Sequence, residues 1–522
     1  MTERSHSCYV SWTKSKTGLP LPLYADGKPA ASVYDPEKEA LRFASLDVFK
    51  NAGFILIAGL GARLHINELA KCRPGCRIVV VEANKESADF IVKNEIKRPD
   101  HADVDICTAS EVYDFLLQNY FPPVHGNFCL YPLRSWLQAQ PGLFEFIKAE
   151  TERALEHIAS DVSTQARFGK IWHKNIIDNL SLYADMQSES RIDFFNSRFP
   201  VHKTAFIAAA GPSLESCFEP LKKKRNSYYI IATDTAFPAL HAQGIRADAF
   251  VCIDPQLFSL RHLYTSIDDK TLFVCDSACS PLVPRKALKA GAGILFFNGN
   301  HPLCMLAHMY YAAENRDEPP LFPFFGSPEG TVTIAAVNFA LKAGFMRIAT
   351  GGADFCYTDG KAYTRGSYFD AAFGSLSTRL NTGEHLFCSL MYAKPLEEAA
   401  LANKKRCFTT ALLKAYREAF NRISDNHPGM IFPLEQEGFY SCKQSVETKT
   451  ALYTHKRGFD IQGFVHFYAE ELYKLQKGIK TDFSPAVYAS ILPYGARFAA
   501  QNGFFDLDKI IDEIFLKFPH SP

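Results

Sequence analysis

TAFIAAAGPSLES (204–216), SYYIIATDTAFPAL (227–240), ADAFVCIDPQ (247–256), KTLFVCDSA (270–278), GILFFNGN (293–300) and FMRIATGGADF (345–355) share one pattern: a short apolar run that gives way to small or acidic residues. Runs that are apolar throughout, with no polar face, suit strands covered on both sides, as in a parallel sheet between layers of helices. The polar residues that follow each run then fall along the C-terminal edge of the sheet, where open α/β sheets bind their ligands. Between the last two runs, GSPEGTVTIAAVNFALKAG (326–344) reads as a small-residue turn leading into an apolar helix that stops at Gly344.

Toward the N-terminus, GFILIAGLGARLHINELA (53–70) and CRIVVVEAN (76–84) repeat the strand-turn-helix-strand order around Gly59 and Gly61. Glu82 follows Gly61 by 21 residues, close to the ~20 at which a ribose-binding acid follows a dinucleotide loop. Leu64 stands where the third glycine of that loop belongs. Two readings stay open here: a structural domain, or a nucleotide or sugar site. From about 133 to 197 the chain turns helical, and Trp172, Asn175 and Asn179 recur at helical spacing as a packing face. Past 441, FVHFYAEELYKLQ (464–476) and LDKIIDEIFLKF (507–518) read as helices of a cap. A chain of 522 residues exceeds the ~250–300 that one core supports. The predicted fold class is therefore α/β, with two Rossmann-like parallel-sheet domains (1–130 and 201–440), a helical connector (131–200) and a helical C-terminal region (441–522).

Lys+Arg number 57 against Asp+Glu 56, a formal charge of +1, so no global field favours nucleic acid or an anionic membrane surface. The 14 cysteines are scattered, with CxxxC spacings at Cys72/Cys76 and Cys275/Cys279 and no paired CxxC metal ligands. Most sit in apolar surroundings, which suits reduced thiols in a reducing compartment. The first residues, MTERSHSCYVSWTKSK, hold no apolar signal core, and no run nears the ~18 apolar residues of a membrane span. The expectation is a cytoplasmic protein without membrane insertion and without nucleic acid as a partner.

The turn Ala210-Gly211-Pro212-Ser213-Leu214 follows a strand directly. Gly211 lets a ligand approach the backbone, Pro212 fixes the turn, and Ser213 is placed to cap a helix whose first amides and dipole favour phosphate. A capped strand-helix turn without a ligand has the same spacing. In their order, AAAGPSLES (208–216), IIATDTAFPAL (230–240), ADAFVCIDPQ, GSPEGTVTIAAVNFALKAGFMRIATGGADFCY (326–357) and LLKAYREAFNRI (412–423) resemble the Maf (motility-associated factor) family of flagellin glycosyltransferases and, more distantly, bacterial sialyltransferases that use CMP-activated sugars. The resemblance covers roughly 200 to 440, and the N-terminal layout matches as well.

That resemblance implies a transferase moving a nonulosonic acid, of the pseudaminic or legionaminic type, from a CMP donor to Ser/Thr of flagellin. No cofactor or metal is implied, because a monophosphate leaving group does not require a divalent ion. Ser213 and the neighbouring amides would contact phosphate, and Asp234 would face the nucleotide or sugar. Ser327, Gly330 and Thr331 would form a second glycine-bearing turn around the donor. Asp254 and Asp354 would position the acceptor or a sugar hydroxyl, although each equally suits a cap on its own turn. The family carries a histidine after the strand that ends in Asp354; here Tyr363 takes that place. Tyr363 would serve as base only with a strongly lowered pKa, which Arg365 would supply, or Arg365 would hold the sugar carboxylate. His301 is another candidate base.

Two other classes remain. The same turn resembles archaeal 6-hydroxymethylpterin diphosphokinases, in which Asp234 and Asp254 would hold Mg²⁺. A non-catalytic flagellar scaffold would account for the missing histidine.

Overall fold

The computed structural model describes residues 7–94, 104–188, 199–316, 318–326, 330–400, 406–435 and 458–517. It is an α/β protein with two parallel sheets flanked by helices. The chain divides into two compact units, Met1–Gly169 with Pro493–Asp506, and Lys170–Leu492 with Leu507–Pro522. Two of the three divisions fall inside helices, Pro141–Ser188 and Ser484–Asn502, and the third immediately precedes the helix Leu507–Lys517.

The first unit opens with an antiparallel hairpin, β1 (Tyr9–Lys14) and β2 (Pro20–Tyr24). Its sheet has the order β5-β4-β3-β6, built from β3 (Ala52–Ala58), β4 (Arg77–Glu82), β5 (Asp105–Thr108) and β6 (Asn127–Pro132), all parallel. Phe54 to Ala58 and Val79 to Val81 are completely buried. Their uninterrupted apolar runs thus cover both faces of the sheet.

The glycine turn after β3 is closed by protein. Gly59 and Gly61 have left-handed φ of 102° and 49°, and a Cβ on Gly59 would lie 2.5 Å from the Trp136 ring. The Gly61 amide donates to the Tyr9 hydroxyl at 3.0 Å. Glu82, fully buried, accepts from Leu60 N (2.9 Å), Ala83 N (2.7 Å), Tyr9 Oη (3.0 Å), Trp136 Nε1 (2.8 Å) and, through sulfur, Cys8 (3.7 Å). With both carboxylate oxygens occupied by the chain itself, Glu82 has no acceptor capacity left for a ribose. Of the two readings left open for this turn, the structural one fits.

The second unit holds a seven-stranded sheet of order β11-β10-β9-β8-β7-β12-β15. Its strands are β7 (Thr204–Ala208), β8 (Tyr228–Thr233), β9 (Ala249–Cys252), β10 (Leu272–Asp276), β11 (Gly293–Phe297), β12 (Ile348–Gly351) and β15 (Ile431–Pro433). Every pairing is parallel. A two-stranded antiparallel ribbon, β13 (Glu397–Ala400) and β14 (Arg406–Thr409), lies between β12 and β15 in sequence. The helix Val332–Lys342 buries Ile334 to Val337, Phe339 and Ala340. It ends at Gly344, whose φ of 91° is the left-handed conformation that releases the chain toward β12.

From β7 the chain adds β8 to β11 on one side and then returns to place β12 and β15 on the other. The strand order therefore reverses between β7 and β12, the place where doubly wound sheets open a crevice for ligands.

Candidate functional site

At that reversal, Gly211, Pro212 and Ser213 leave β7 directly opposite Gly352, Ala353 and Asp354 leaving β12. The two loops are hydrogen bonded: Ala209 N donates to Gly351 O (2.9 Å) and Gly211 N to Gly352 O (2.8 Å). A Cβ on Gly211 would stand 2.4 Å from Gly352 O and 2.5 Å from Asp354 Oδ2. The neighbouring strand thus demands a glycine here whether or not a ligand comes close.

Ser213 does not cap the helix Leu214–Lys223 that it precedes. Instead its hydroxyl donates to Asp354 Oδ1, its amide donates to Asp354 Oδ2 at 2.9 Å, and its Oγ accepts from Gly352 N at 3.0 Å. The Leu214 and Glu215 amides turn back onto Gly211 O and Pro212 O. A carboxylate of the protein therefore occupies the anion position at the start of this helix. Burial raises the pKa of Asp354, and the Ser213 bonds only partly oppose that rise.

Three more acids end neighbouring strands. Asp234, after β8, is 5% exposed; its Oδ1 accepts from Thr235 N (2.6 Å) and Thr235 Oγ1 (3.1 Å). Burial pushes its pKa up, while His262 pulls it down. Asp254, after β9, uses Oδ1 to accept from Gln256 N (2.9 Å) and Gln256 Nε2 (3.4 Å), a turn-capping role. Asp276, the last residue of β10, was not singled out from the sequence, although KTLFVCDSA ends as the other runs do. Burial lifts its pKa to about 7 against the opposing bonds from Ala278 and Ser277. Gly299 packs onto it so tightly that a Cβ there would lie 1.9 Å from Asp276 Oδ2.

A strap, residues 361–367, crosses these strand ends. Thr364 N donates to Ala210 O (2.9 Å), Lys361 pairs with Glu215 (2.9 Å), and Arg365 N also donates to Glu215 (3.1 Å). Tyr363 stacks on Phe369 at 4.6 Å between ring centres. The expectation that Arg365 lowers the Tyr363 pKa is corrected here: burial, followed by Tyr357, Asp234 and Tyr416, pushes it up to about 12. A phenol in that state donates a hydrogen bond and does not act as a base near neutrality.

His301 is likewise unsuited to the role of base. Its Nδ1 accepts from Leu303 N (3.2 Å) at the start of the helix Pro302–Glu314, its ring lies edge-on to Trp172, and burial lowers its pKa to about 3. Asn175 Nδ2 donates to Pro255 O (2.9 Å) and Ala278 O (3.1 Å), and Asn179 Nδ2 to Ser277 O and Cys279 O (both 2.9 Å). The packing face read from the sequence thus fixes the loops that follow β9 and β10. Gly330 has φ of 74° and Thr331 precedes the helix Val332–Lys342; Ser327 lies outside the described residues. His262, on the 3₁₀ helix Leu257–Leu263, gave no motif in the sequence, and only folding brings it to Asp234.

Among the described residues, no group of three His, Cys, Asp or Glu converges to hold a metal ion, and no helix is long and apolar enough to cross a membrane. The 13 described cysteines are all free thiols.

A protein of Treponema pallidum (strain Nichols), described as uncharacterized, is 37% identical over 155 residues, 29% of this chain and 70% of that protein. The chain belongs to the family of that treponemal protein. A second uncharacterized protein of the same organism is 28% identical over 213 residues, 39% of this chain and 72% of its own length. Residues 174–360 match the family model described as "6-hydroxymethylpterin diphosphokinase MptE-like". In fold, the chain is similar to the solved Maf glycosyltransferase from Magnetospirillum magneticum AMB-1, with a TM-score of 0.53 over 97% of this chain and 85% of that one, at 13% identity. At that identity the likeness is one of architecture, and it extends over both units of this member of the treponemal family.

Proposed function

We propose that the chain is a cytoplasmic glycosyltransferase that moves a nonulosonic acid from a CMP-activated donor to Ser or Thr hydroxyls of flagellin. The observation that carries this reading is the turn Gly211 to Ser213, set where the strand order reverses, with a carboxylate already bound at the Ser213 amide. A helix start that holds one anion suits another, and the CMP phosphate would displace Asp354 from Ser213. The fold likeness to a Maf glycosyltransferase supports the same reading, because it includes the N-terminal unit as well as the crevice. Asp234, Asp254, Gly330, Thr331 and Arg365 would line the path of the donor and acceptor. Titration with CMP tests the proposal: micromolar or tighter binding by the full chain supports it, and no binding up to millimolar CMP overturns it. Mass spectrometry of flagellin from cells with and without the gene would then identify the sugar.

The match of 174–360 to the MptE-like model favours a second reading, a pyrophosphoryl transfer from ATP to a pterin. That reaction needs Mg²⁺ held by carboxylates between phosphates. The carboxylates at hand fit poorly, since among the described residues no group of three His, Cys, Asp or Glu converges to hold a metal ion. Binding of ATP with Mg²⁺ and not of CMP would select this second reading.

A further inference from the structure

The transfer needs a group that takes the proton of the acceptor hydroxyl, and most candidates in the crevice are already committed. Tyr363 is held protonated up to about 12 and His301 is weakly basic, near 3, with Nδ1 occupied. Both oxygens of Asp354 are bound to Ser213. Asp234 differs. Its Oδ1 is fixed by the amide and hydroxyl of Thr235, which sets the plane of the carboxylate, while Oδ2 makes no hydrogen bond to any described residue.

Asp234 also stands in the right place. β8 neighbours β7 in the sheet, so Asp234 leaves the strand beside the one that ends in the turn read as the phosphate position. The strap closes over it: Thr364 docks on Ala210, and Gly366 lies on the helix Phe237–Ala242, where a Cβ would come within 3.1 Å of Ala242 Cβ. The titratable groups that act on or are acted on by Asp234 are His262 from the 3₁₀ helix, Asp254 after β9, Cys252 on β9 and Tyr363 from the strap. Of these His262 alone can carry positive charge. Its ring is 4% exposed and held edge-on by Phe258 (5.5 Å) and Tyr368 (5.8 Å). Its Nδ1 has no hydrogen-bond partner among the described residues.

We propose that Asp234 is the general base of the glycosyl transfer proposed above, receiving the acceptor proton on Oδ2, and that His262 is a positioning residue that steadies the Asp234 charge. This assignment rests on the glycosyltransferase reading. In the step, the O–H bond of the acceptor breaks and its proton passes to Asp234 Oδ2. The oxygen's electron pair forms the new bond to the anomeric carbon, and the bond from that carbon to the phosphate oxygen breaks, its pair leaving with CMP. Asp234 returns its proton to water afterwards. Burial brings the carboxylate closer to neutral basicity, which favours a general base.

The test uses the full chain, CMP for binding, and CMP-pseudaminic acid with flagellin for transfer. Asp234→Asn keeps an oxygen for Thr235, so the fold should hold. Transfer should fall by about 10² to 10⁴ with the Kd for CMP within a few-fold of wild type. In His262→Phe the ring packing on Phe258 and Tyr368 survives and the imidazole nitrogens are lost. The limb of the rate that rises with pH should then move to higher pH, because the His262 interaction that lowers the Asp234 pKa is gone. A limb that stays in place overturns the role given to His262. An active wild type alongside an Asp234→Asn variant with a wild-type transfer rate overturns the base assignment alone. A wild-type chain that neither binds CMP nor releases it from the donor overturns the glycosyltransferase reading itself.

Discussion

Both units place a glycine turn after the first strand of a parallel sheet, yet the two turns are closed in different ways. In the N-terminal unit a tryptophan fills the space in front of Gly59, Tyr9 takes the Gly61 amide, and Glu82 is saturated by five donors. In the second unit the turn at Ser213 is closed by one carboxylate, Asp354, and the next acid along the edge keeps an oxygen free. A large apolar side chain locked to a buried acid is costly to move. One aspartate side chain leaves through a rotamer change. The comparison teaches that a glycine turn marks where backbone must come close to something, and that its neighbours decide whether that something is the protein or a ligand.

Removing Trp136 attacks the closed turn and should have the largest effect. Trp136→Ala opens a cavity against Gly59 and takes a donor from Glu82, which together should cost about 3–5 kcal/mol. Urea denaturation followed by circular dichroism should show an early transition for the N-terminal unit, with the CMP affinity of the remaining structure unchanged. Loss of CMP binding while the second unit stays folded would break the comparison by placing nucleotide recognition in the first.

A second experiment tests the buried acid at the end of β10. Asp276 has a folded pKa near 7, above an unfolded value of about 3.9, so the stability it contributes is complete below about pH 4 and lost as pH rises through about 7. The loss is on the order of 4 kcal/mol if the whole shift is realised. Asp276→Asn should flatten stability against pH over that window, as read by thermal melts in a buffer series; an unchanged slope means the carboxylate finds solvation in the native state.

Opening the second turn is a smaller perturbation. Asp354→Asn leaves an acceptor for Ser213 and removes the negative charge that occupies the helix start. Stability should drop by no more than about 1–2 kcal/mol, and CMP should bind several-fold more tightly by calorimetry. Weaker binding would mean that Asp354 helps to hold the donor and does not compete with it. The smallest effect is expected at Tyr363. With its hydroxyl held near 12, Tyr363→Phe should lower transfer by less than about tenfold, and a loss of a thousandfold would restore it as the base.

Strands β3 and β4 of the first sheet and β7 to β12 of the second were legible because each is an apolar run without a polar face, a pattern set by local composition; β5 and β6 of the first sheet gave no such run. So was the helix after Gly330, whose end at Gly344 follows from the left-handed backbone only glycine takes easily. The hairpin Tyr9 to Tyr24, the ribbon at 397–409 and the three-residue β15 were not legible: they are too short for a periodic signal and exist because neighbours complete their hydrogen bonds. Asp354, Asp254 and Asp234 were readable as acids at strand ends. Which of them would leave its own turn was not, because whether a carboxylate is drawn to another helix start or stays with the residues that follow it depends on atoms distant in sequence. Asp354 meets Ser213 across 141 residues, and His262 reaches Asp234 from another element altogether. Sequence by itself therefore determined the kind of sheet and the edge on which chemistry would lie, since both follow from uninterrupted apolar runs that end in small or acidic residues. Only the tertiary structure decided which glycine turn stays plugged and which acid is tied to a distant residue, since those are properties of packing between chain segments.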